Sequence, residues 1–319
     1  MLVEVESSKE VVELAGAKPF VVVGVPALNE ELSIARVVLE AQKYADRVVV
    51  CDDGSSDLTG EIALRLGADV VRHERNLGYG AAVQSLFRRA RELGADVLVT
   101  LDADGQHDPR EVSDVVKPIV EGKADVVVGS RFVDEHSAYA MPWYRRAGVK
   151  FVTRLTNNGA RHGVKDGQSG FRAYSRRSLD SLILFEDGMG VSAEILINAR
   201  KQGLRICEVS CSCSYDVGVE TSSSNAVRHG VGLVMSIVRL VVEDKPLVLL
   251  GLPGIVCLLV GAFFGVWMLQ IYAIEHRIIT NVALASVAFV LIGFFCLSTA
   301  ITLYAITRLA RKVNNRASK

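Results

Sequence analysis

An α/β domain built on a mainly parallel sheet, followed by a pair of membrane-crossing helices, is the architecture this sequence predicts. Three observations carry that expectation. Short β-branched runs alternate with amphipathic segments through the first two thirds of the chain. Several of those runs end in acidic or polar clusters, at the edge where open parallel sheets bind ligands. Residues 246–272 and 278–307 then contain no charged side chain, and each stretch exceeds the ~20 residues that cross a bilayer core. Those two stretches account for a mean hydropathy of +0.29 in a chain of 319 residues with net charge +0.

The elements follow in order. Residues 20–25 are an apolar β-branched run, the first strand, which ends in Pro26-Ala-Leu-Asn29-Glu30-Glu31. A helix is expected over 32–44, and a second strand over 47–51 leads into Asp52-Asp53-Gly-Ser-Ser-Asp57. Helix 59–66 and a short strand 69–72 precede Asn76-Leu-Gly78-Tyr-Gly80, which opens a helix over 81–93. The run 96–101 is a fourth strand, 110–121 a helix and 124–129 a fifth strand. Strands alternating with helices imply a mostly parallel sheet with helices on both faces. The first strand is not followed by G-x-G-x-x-G, and no Walker A lysine loop occurs, so dinucleotide-binding and P-loop readings are disfavoured.

The fourth strand runs into Leu101-Asp-Ala-Asp104-Gly-Gln106-His-Asp-Pro109. Asp102 and Asp104 stand one residue apart, Gly105 permits a tight bend and Gln106 adds an amide oxygen. Asp and Gly are also common turn residues, so D-x-D alone is ambiguous. Hard oxygen donors at a strand end suit Mg²⁺ or Mn²⁺, ions that keep waters and bind a diphosphate at the same time. The six cysteines are scattered. Cys211 and Cys213 form a lone C-x-C that does not make a zinc site, and they read as reduced thiols.

The series P-A-L-N-E, D-D-G-S-S-D, N-x-G-x-G, D-A-D-G-Q, then G-S-R-F at 129–132 and D-G-Q-S-G-F-R at 166–172, resembles family 2 glycosyltransferases of the A-type nucleotide-sugar fold (GT-A). Within that family it is most similar to the dolichyl- and polyprenyl-phosphate sugar synthases. The resemblance covers residues 20–215, and the two apolar stretches match synthases that carry their own membrane anchor.

The resemblance implies the following roles. Asp53 contacts the base or ribose of a nucleotide-diphosphate sugar, UDP- or GDP-linked. Pro26, Ala27, Asn29 and Glu30 line the same pocket, and Asn76 and Gly78 let backbone approach the nucleotide. Asp102, with Ala103, lies on the sugar and ribose side; Asp104 and Gln106 ligate Mg²⁺ or Mn²⁺ across the diphosphate. The acceptor is polyprenyl (dolichyl) phosphate, already an anion, so a dedicated general base is less necessary than for a hydroxyl acceptor. Cations must instead hold that phosphate in line, and arginine suits the task. Arg131 and Arg145 are the implied pair, with Ser169 and Arg172 in the segment beneath. Asp102, Asp104 and Arg131 are the expected catalytic set, and direct displacement inverts the anomeric centre. Glu194 matches an acidic position of the family, as a sugar contact or a structural support. The segment 215–225 reads as a lid without the usual basic residues.

The expected organisation is a polar lead-in over 1–19, a cytoplasmic catalytic domain over 20–225, a juxtamembrane amphipathic helix over 226–245, two transmembrane helices over 246–307 and a basic tail over 308–319. An interface helix is expected at 145–158, where apolar and basic residues alternate at helical spacing. The basic tail places the C-terminus, and through two spans the catalytic domain, in the cytoplasm. Residues 1–18 carry Glu and Lys through their middle, unlike a secretory leader. Expected partners are the donor, the lipid phosphate and the bilayer, not nucleic acid. Gly251, Gly254, Gly261 and Gly265 give small faces suited to a neighbouring helix in a homo-oligomer. The rivals are a family 2 transferase with a hydroxyl acceptor and a non-catalytic membrane scaffold.

Overall fold

The computed structural model describes residues 18–133, 153, 163–212 and 247–317. The expected interface helix at 145–158 (apart from residue 153), Arg145, the lid 215–225 and the juxtamembrane helix 226–245 lie outside the described residues. The chain divides into two compact units, Met1–Ile237 and Val238–Lys319.

In the first unit the elements alternate: β1 (Val21–Ala27), α1 (Ile34–Ala41), β2 (Arg47–Asp52), α2 (Thr59–Arg65), β3 (Asp69–Arg72), α3 (Tyr79–Leu93), β4 (Val97–Thr100), α4 (Val112–Val120) and β5 (Val126–Ser130). β6 (Arg172–Ser175), α5 (Arg176–Ser181), α6 (Val191–Lys201) and β7 (Ile206–Ser210) follow. They build one seven-stranded sheet of order β3-β2-β1-β4-β6-β5-β7. Pairings β1–β2, β1–β4, β2–β3 and β5–β7 are parallel. β6 alone runs backwards, antiparallel to both β4 and β5.

The period-two alternation of side chains sorts the valines onto two cores. Val21, Val23, Val25, Val48 and Val50 face α1, α2 and α4. Val22, Val49, Cys51 and Leu98 face α3, α5 and α6. β1 is flanked by β2 on one side and β4 on the other, so the crossovers diverge there. The C-terminal ends of these three strands open a crevice, the place where ligands bind such sheets.

The second unit holds α7 (Leu252–Glu275) and α8 (Thr280–Ala317), preceded by a π-helical turn over Leu247–Gly251. Leu252–Glu275 and Thr280–Ile306 are long and apolar enough to cross a membrane. The two pack closely through small residues. A side chain at Gly254 would press on Cys296 and the Gly293 carbonyl, and one at Gly261 would press on Val290. Ser286 donates to the Gly261 carbonyl at 2.8 Å. The glycine face expected to meet another molecule is thus covered, at Gly254 and Gly261, by the chain's own second helix. The basic tail is a helical continuation of α8 rather than a separate segment.

Candidate functional site

The loops after β1 and β2 lock onto each other. Asn29 sits in the left-handed region (φ 55°). Its side-chain oxygen accepts from Ser56 N at 2.8 Å, and its own N–H donates to Ser55 Oγ at 3.0 Å. Glu30 N–H donates to Thr59 Oγ1 at 2.7 Å, and the Glu30 carboxylate accepts from Ser33 Oγ at 2.9 Å. Pro26 and Ala27 are the buried last residues of β1, in register with Cys51 and Asp52. Asn29 therefore works as a bridge between the two loops.

Asp52 is fully buried. It accepts from Ser55 N at 2.8 Å and pairs with Arg72 at 3.2 Å. Asp53 is also buried and accepts from Leu77 N (2.9 Å), Gly78 N (2.8 Å) and His73 Nδ1 (2.6 Å). His73 Nε2 in turn lies 2.9 Å from Ser85 Oγ. This Asp–His–Ser chain has the connectivity of a hydrolytic triad, but Ser85 is buried within α3 and the chain braces the loop. Asp53 thus shapes the 77–78 turn, a role the sequence reading did not assign. Gly54, Ser55, Arg72, His73 and Glu74 line a hollow of about 380 Å³ beside it.

The glycines of N-L-G-Y-G also serve a packing purpose that the sequence does not announce. Side chains at Gly78 and Gly80 would strike the Asp187 and Glu186 carbonyls. Gly80 N donates to Asp187 O at 2.7 Å, which caps α3. The neighbour these glycines admit is the 186–188 loop of the same chain. Asn76 stays exposed on that turn.

Glu194 anchors the 186–188 loop. It is buried, and its carboxylate accepts from Phe185 N at 3.0 Å and Glu186 N at 3.0 Å. Of its two expected roles, the geometry gives it the structural one. Glu194→Ala leaves those two amides without their acceptor and is expected to cost about 1–3 kcal/mol of stability. A denaturant titration of the purified protein measures it, and an unchanged midpoint would contradict the assignment.

The acidic turn after β4 holds two half-buried carboxylates. Asp102 accepts from Tyr79 OH at 3.0 Å, and Asp104 accepts from Gln106 N at 2.9 Å. Ala103 between them is buried. Gly105 has φ 70°, and its carbonyl accepts from Arg36 Nη2 at 2.8 Å. Burial pushes the Asp102 carboxyl above its ordinary range, against the lowering influence of Tyr79, Arg131 and Arg172. Burial likewise raises Asp104, and the Asp102 charge raises it further. Glu30 is raised by burial, with the charges of Asp104, Asp57 and Asp102 adding to it. Three carboxyls of two motifs therefore share one desolvated field.

The S-G-F-R segment closes on this turn. Thr100 Oγ1 donates to Gly170 O at 2.7 Å, which brings the Gly170 backbone against the Asp102 carboxylate. Any Cβ at 170 would collide with both Asp102 oxygens. Gly170→Ala is expected to cut turnover roughly tenfold or more by displacing that carboxylate, with the melting temperature little changed. Wild-type turnover in the variant would show that the Asp102 position is not critical.

Ser169 is buried and its Oγ accepts from Phe171 N at 3.3 Å. Arg172 is 1% exposed and donates to three carbonyls, Ser169 O (2.8 Å), Ser192 O (2.9 Å) and Gly167 O (2.8 Å). The expectation that Arg172 grips the acceptor phosphate does not fit this burial. Its guanidinium instead holds the segment that backs Asp102.

Arg131, directly after β5, forms a two-point pair with Asp166: Nε to Oδ2 at 2.7 Å and Nη2 to Oδ1 at 3.0 Å. Asp166 is fully buried, and its N–H and that of Lys165 donate to Glu208 of β7 at 2.9 and 2.8 Å. His107 was not singled out from the sequence. Its buried ring stacks on Phe171 with centroids 5.4 Å apart, and burial and the Arg131 charge hold it below its usual pKa. Arg36, Gly105, Gln106, His107, Arg110 and Ser212 border a cavity of about 560 Å³ behind the turn.

The donor set fits a hard divalent ion. Asp102 and Asp104 are both half-buried; burial raises both carboxyls and the Asp102 charge raises Asp104 further, so a cation favours their joint ionisation. Among the described residues no three His, Cys, Asp or Glu side chains converge into a metal cage. One or two protein oxygens, completed by phosphate and water, is the arrangement Mg²⁺-like ions prefer.

Residues 22–183 match the model of glycosyl transferase family 2. The chain is 35% identical over 214 residues to the UDP-N-acetylglucosamine–dolichyl-phosphate N-acetylglucosaminyltransferase of Methanococcus voltae, covering 60% of this chain and 84% of that one. It is 34% identical over 221 residues to the dolichyl-phosphate hexose transferase of Haloferax volcanii, covering 68% and 92%. Glucosyl-3-phosphoglycerate synthase of Mycobacterium tuberculosis, solved with Mn²⁺ and UDP-glucose, superposes with a TM-score of 0.53 at 26% identity, covering 71% and 82%. Motif order, sheet and sequence agree, and this chain belongs to glycosyl transferase family 2.

Proposed function

We propose that this glycosyltransferase moves a hexose or N-acetylhexosamine from a UDP-linked donor to polyprenyl phosphate, with inversion, using Mg²⁺ or Mn²⁺. The observation that carries the reading is the acidic crevice of Glu30, Asp102 and Asp104 with Arg131 nearby, in a chain that continues into two membrane-length helices. The relatives named as dolichyl-phosphate transferases support the lipid acceptor, and the Mn²⁺–UDP-glucose complex of a structural relative supports uridine and a divalent ion.

In this reading Asp104 and Gln106 hold the ion, which when bound neutralises the departing diphosphate as a Lewis acid. Asp102 receives hydroxyl groups of the donor through its carboxylate. The Asp53-braced turn and the hollow beside Gly54 and His73 receive the nucleoside, so Asp53 acts through the loop it holds. Arg131, fixed by Asp166, meets the acceptor phosphate together with Arg145. The phosphate oxygen attacks without losing a proton, so no general base is required. The site's task is alignment and charge compensation. The helices α7 and α8 cross the membrane, with the catalytic unit and the basic end of α8 on the cytoplasmic side.

Membranes carrying the protein, given polyprenyl phosphate and radiolabelled UDP- or GDP-sugars, are expected to place label from a UDP-sugar in the lipid extract. Label in a soluble glycan with none in lipid would reject the acceptor, and label from GDP-sugars alone would reject uridine.

A further inference from the structure

We infer that Tyr79 is a positioning residue that fixes Asp102 so that a single carboxylate oxygen faces the donor. This rests on the reading of the acidic turn as the donor site. Tyr79 is the first residue of α3, and its ring packs against the core formed by α3, α5 and α6. Its hydroxyl donates to Asp102 Oδ1 at 3.0 Å. On the opposite side the Gly170 backbone closes against both Asp102 oxygens, held there by Thr100. A donor on one side and the close Gly170 backbone on the other restrict the carboxylate's rotation.

The consequence is a division of labour within D-x-D. A carboxylate with two open oxygens chelates a divalent ion as readily as it accepts a hydroxyl hydrogen bond. With Oδ1 bonded to the phenol, Asp102 presents Oδ2 singly, which suits a hydroxyl, and the ion is left to Asp104 and Gln106.

The placement of Tyr79 is itself built. Gly78 turns the chain with φ 107°, the Asp187 carbonyl caps the start of α3, and Glu194 holds the 185–186 amides next to that carbonyl. The N-L-G-Y-G turn, the 185–188 loop held by Glu194 and the D-A-D-G-Q turn therefore meet around Tyr79. A phenylalanine would keep the ring packing and remove only this bond.

The test uses the full-length protein in detergent with Mn²⁺. UDP-glucose and GDP-mannose are titrated calorimetrically, without acceptor, into wild type, Tyr79→Phe, Asp102→Asn and the double variant. Tyr79→Phe is expected to weaken donor binding about tenfold, the loss of a hydrogen bond to a charged group. In steady-state transfer its half-activating Mn²⁺ concentration should move less than twofold. In the Asp102→Asn background the same substitution should change donor binding less than twofold, because its effect passes through Asp102. An equal loss in both backgrounds would make Tyr79 merely structural and overturn the inference, even if the variant melted earlier. Unchanged donor binding in Tyr79→Phe would overturn it too, leaving the donor-site reading in place. A wild-type protein that bound neither donor would remove that reading and this inference with it.

Discussion

Asp104→Ala abolishes sugar transfer, by roughly 10³-fold or more, while the protein still folds. The expectation follows from what Asp104 does in the structure. Its carboxylate is half-buried, raised in pKa by burial and by Asp102, and accepts a hydrogen bond from the local Gln106 amide. Removing it relieves repulsion in the fold, so stability should hold or rise slightly. Catalysis loses an anionic ligand to an ion that stabilises the leaving diphosphate, a contribution of several kcal/mol to the barrier. EDTA should mimic the variant in wild type, and Mn²⁺ should restore wild type but not Asp104→Ala. Radiolabel transfer and thermal melting together check this; activity in EDTA would refute the metal assignment.

Arg131 gives the second large effect, and its reading needs two variants. Arg131→Ala leaves Asp166 fully buried without its cation, a change that destabilises by about 3–5 kcal/mol. Lost activity in that variant alone would be ambiguous. Arg131→Ala combined with Asp166→Asn removes both charges and should recover most of the stability. It should still show an acceptor KM raised about 10- to 100-fold with donor binding unchanged, because the phosphate has lost a charged partner. A double variant with wild-type acceptor KM would place the phosphate elsewhere.

The sequence was most legible where its periodicity was strongest. The five β-branched runs became β1 to β5 within two residues at each end, and every expected helix between them formed. β6 and β7 were not separated out, for a physical reason. R-A-Y-S and I-C-E-V-S are short and mixed in polarity, and they become strands through pairing with β4 and β5. β6 also runs antiparallel, which no alternation of strands and helices announces.

In the site, the carboxylates were visible because acidic strand ends are unusual, but their supports were not. Gly78 and Gly80 are recognisable as backbone that something approaches; that the visitor is Asp187, more than a hundred residues away, depends on tertiary structure. Arg172 carries the residue type expected of a phosphate ligand, yet it is buried among carbonyls. Tyr79, Asp166, Glu208 and His107 act on neighbours distant in sequence, so no local pattern marks them. The motif D-G-Q-S-G-F-R held the one available signal, since it places Asp166 and Gly170 beside residues already under suspicion.

The most direct measurement is anomalous diffraction from crystals grown with Mn²⁺ and UDP. The account predicts a manganese peak in contact with an Asp104 carboxylate oxygen, the UDP diphosphate bound at residues 102–106 and Asp102 still bonded to Tyr79. A diphosphate bound away from residues 102–106, or a manganese peak that Asp104 does not touch, would contradict it.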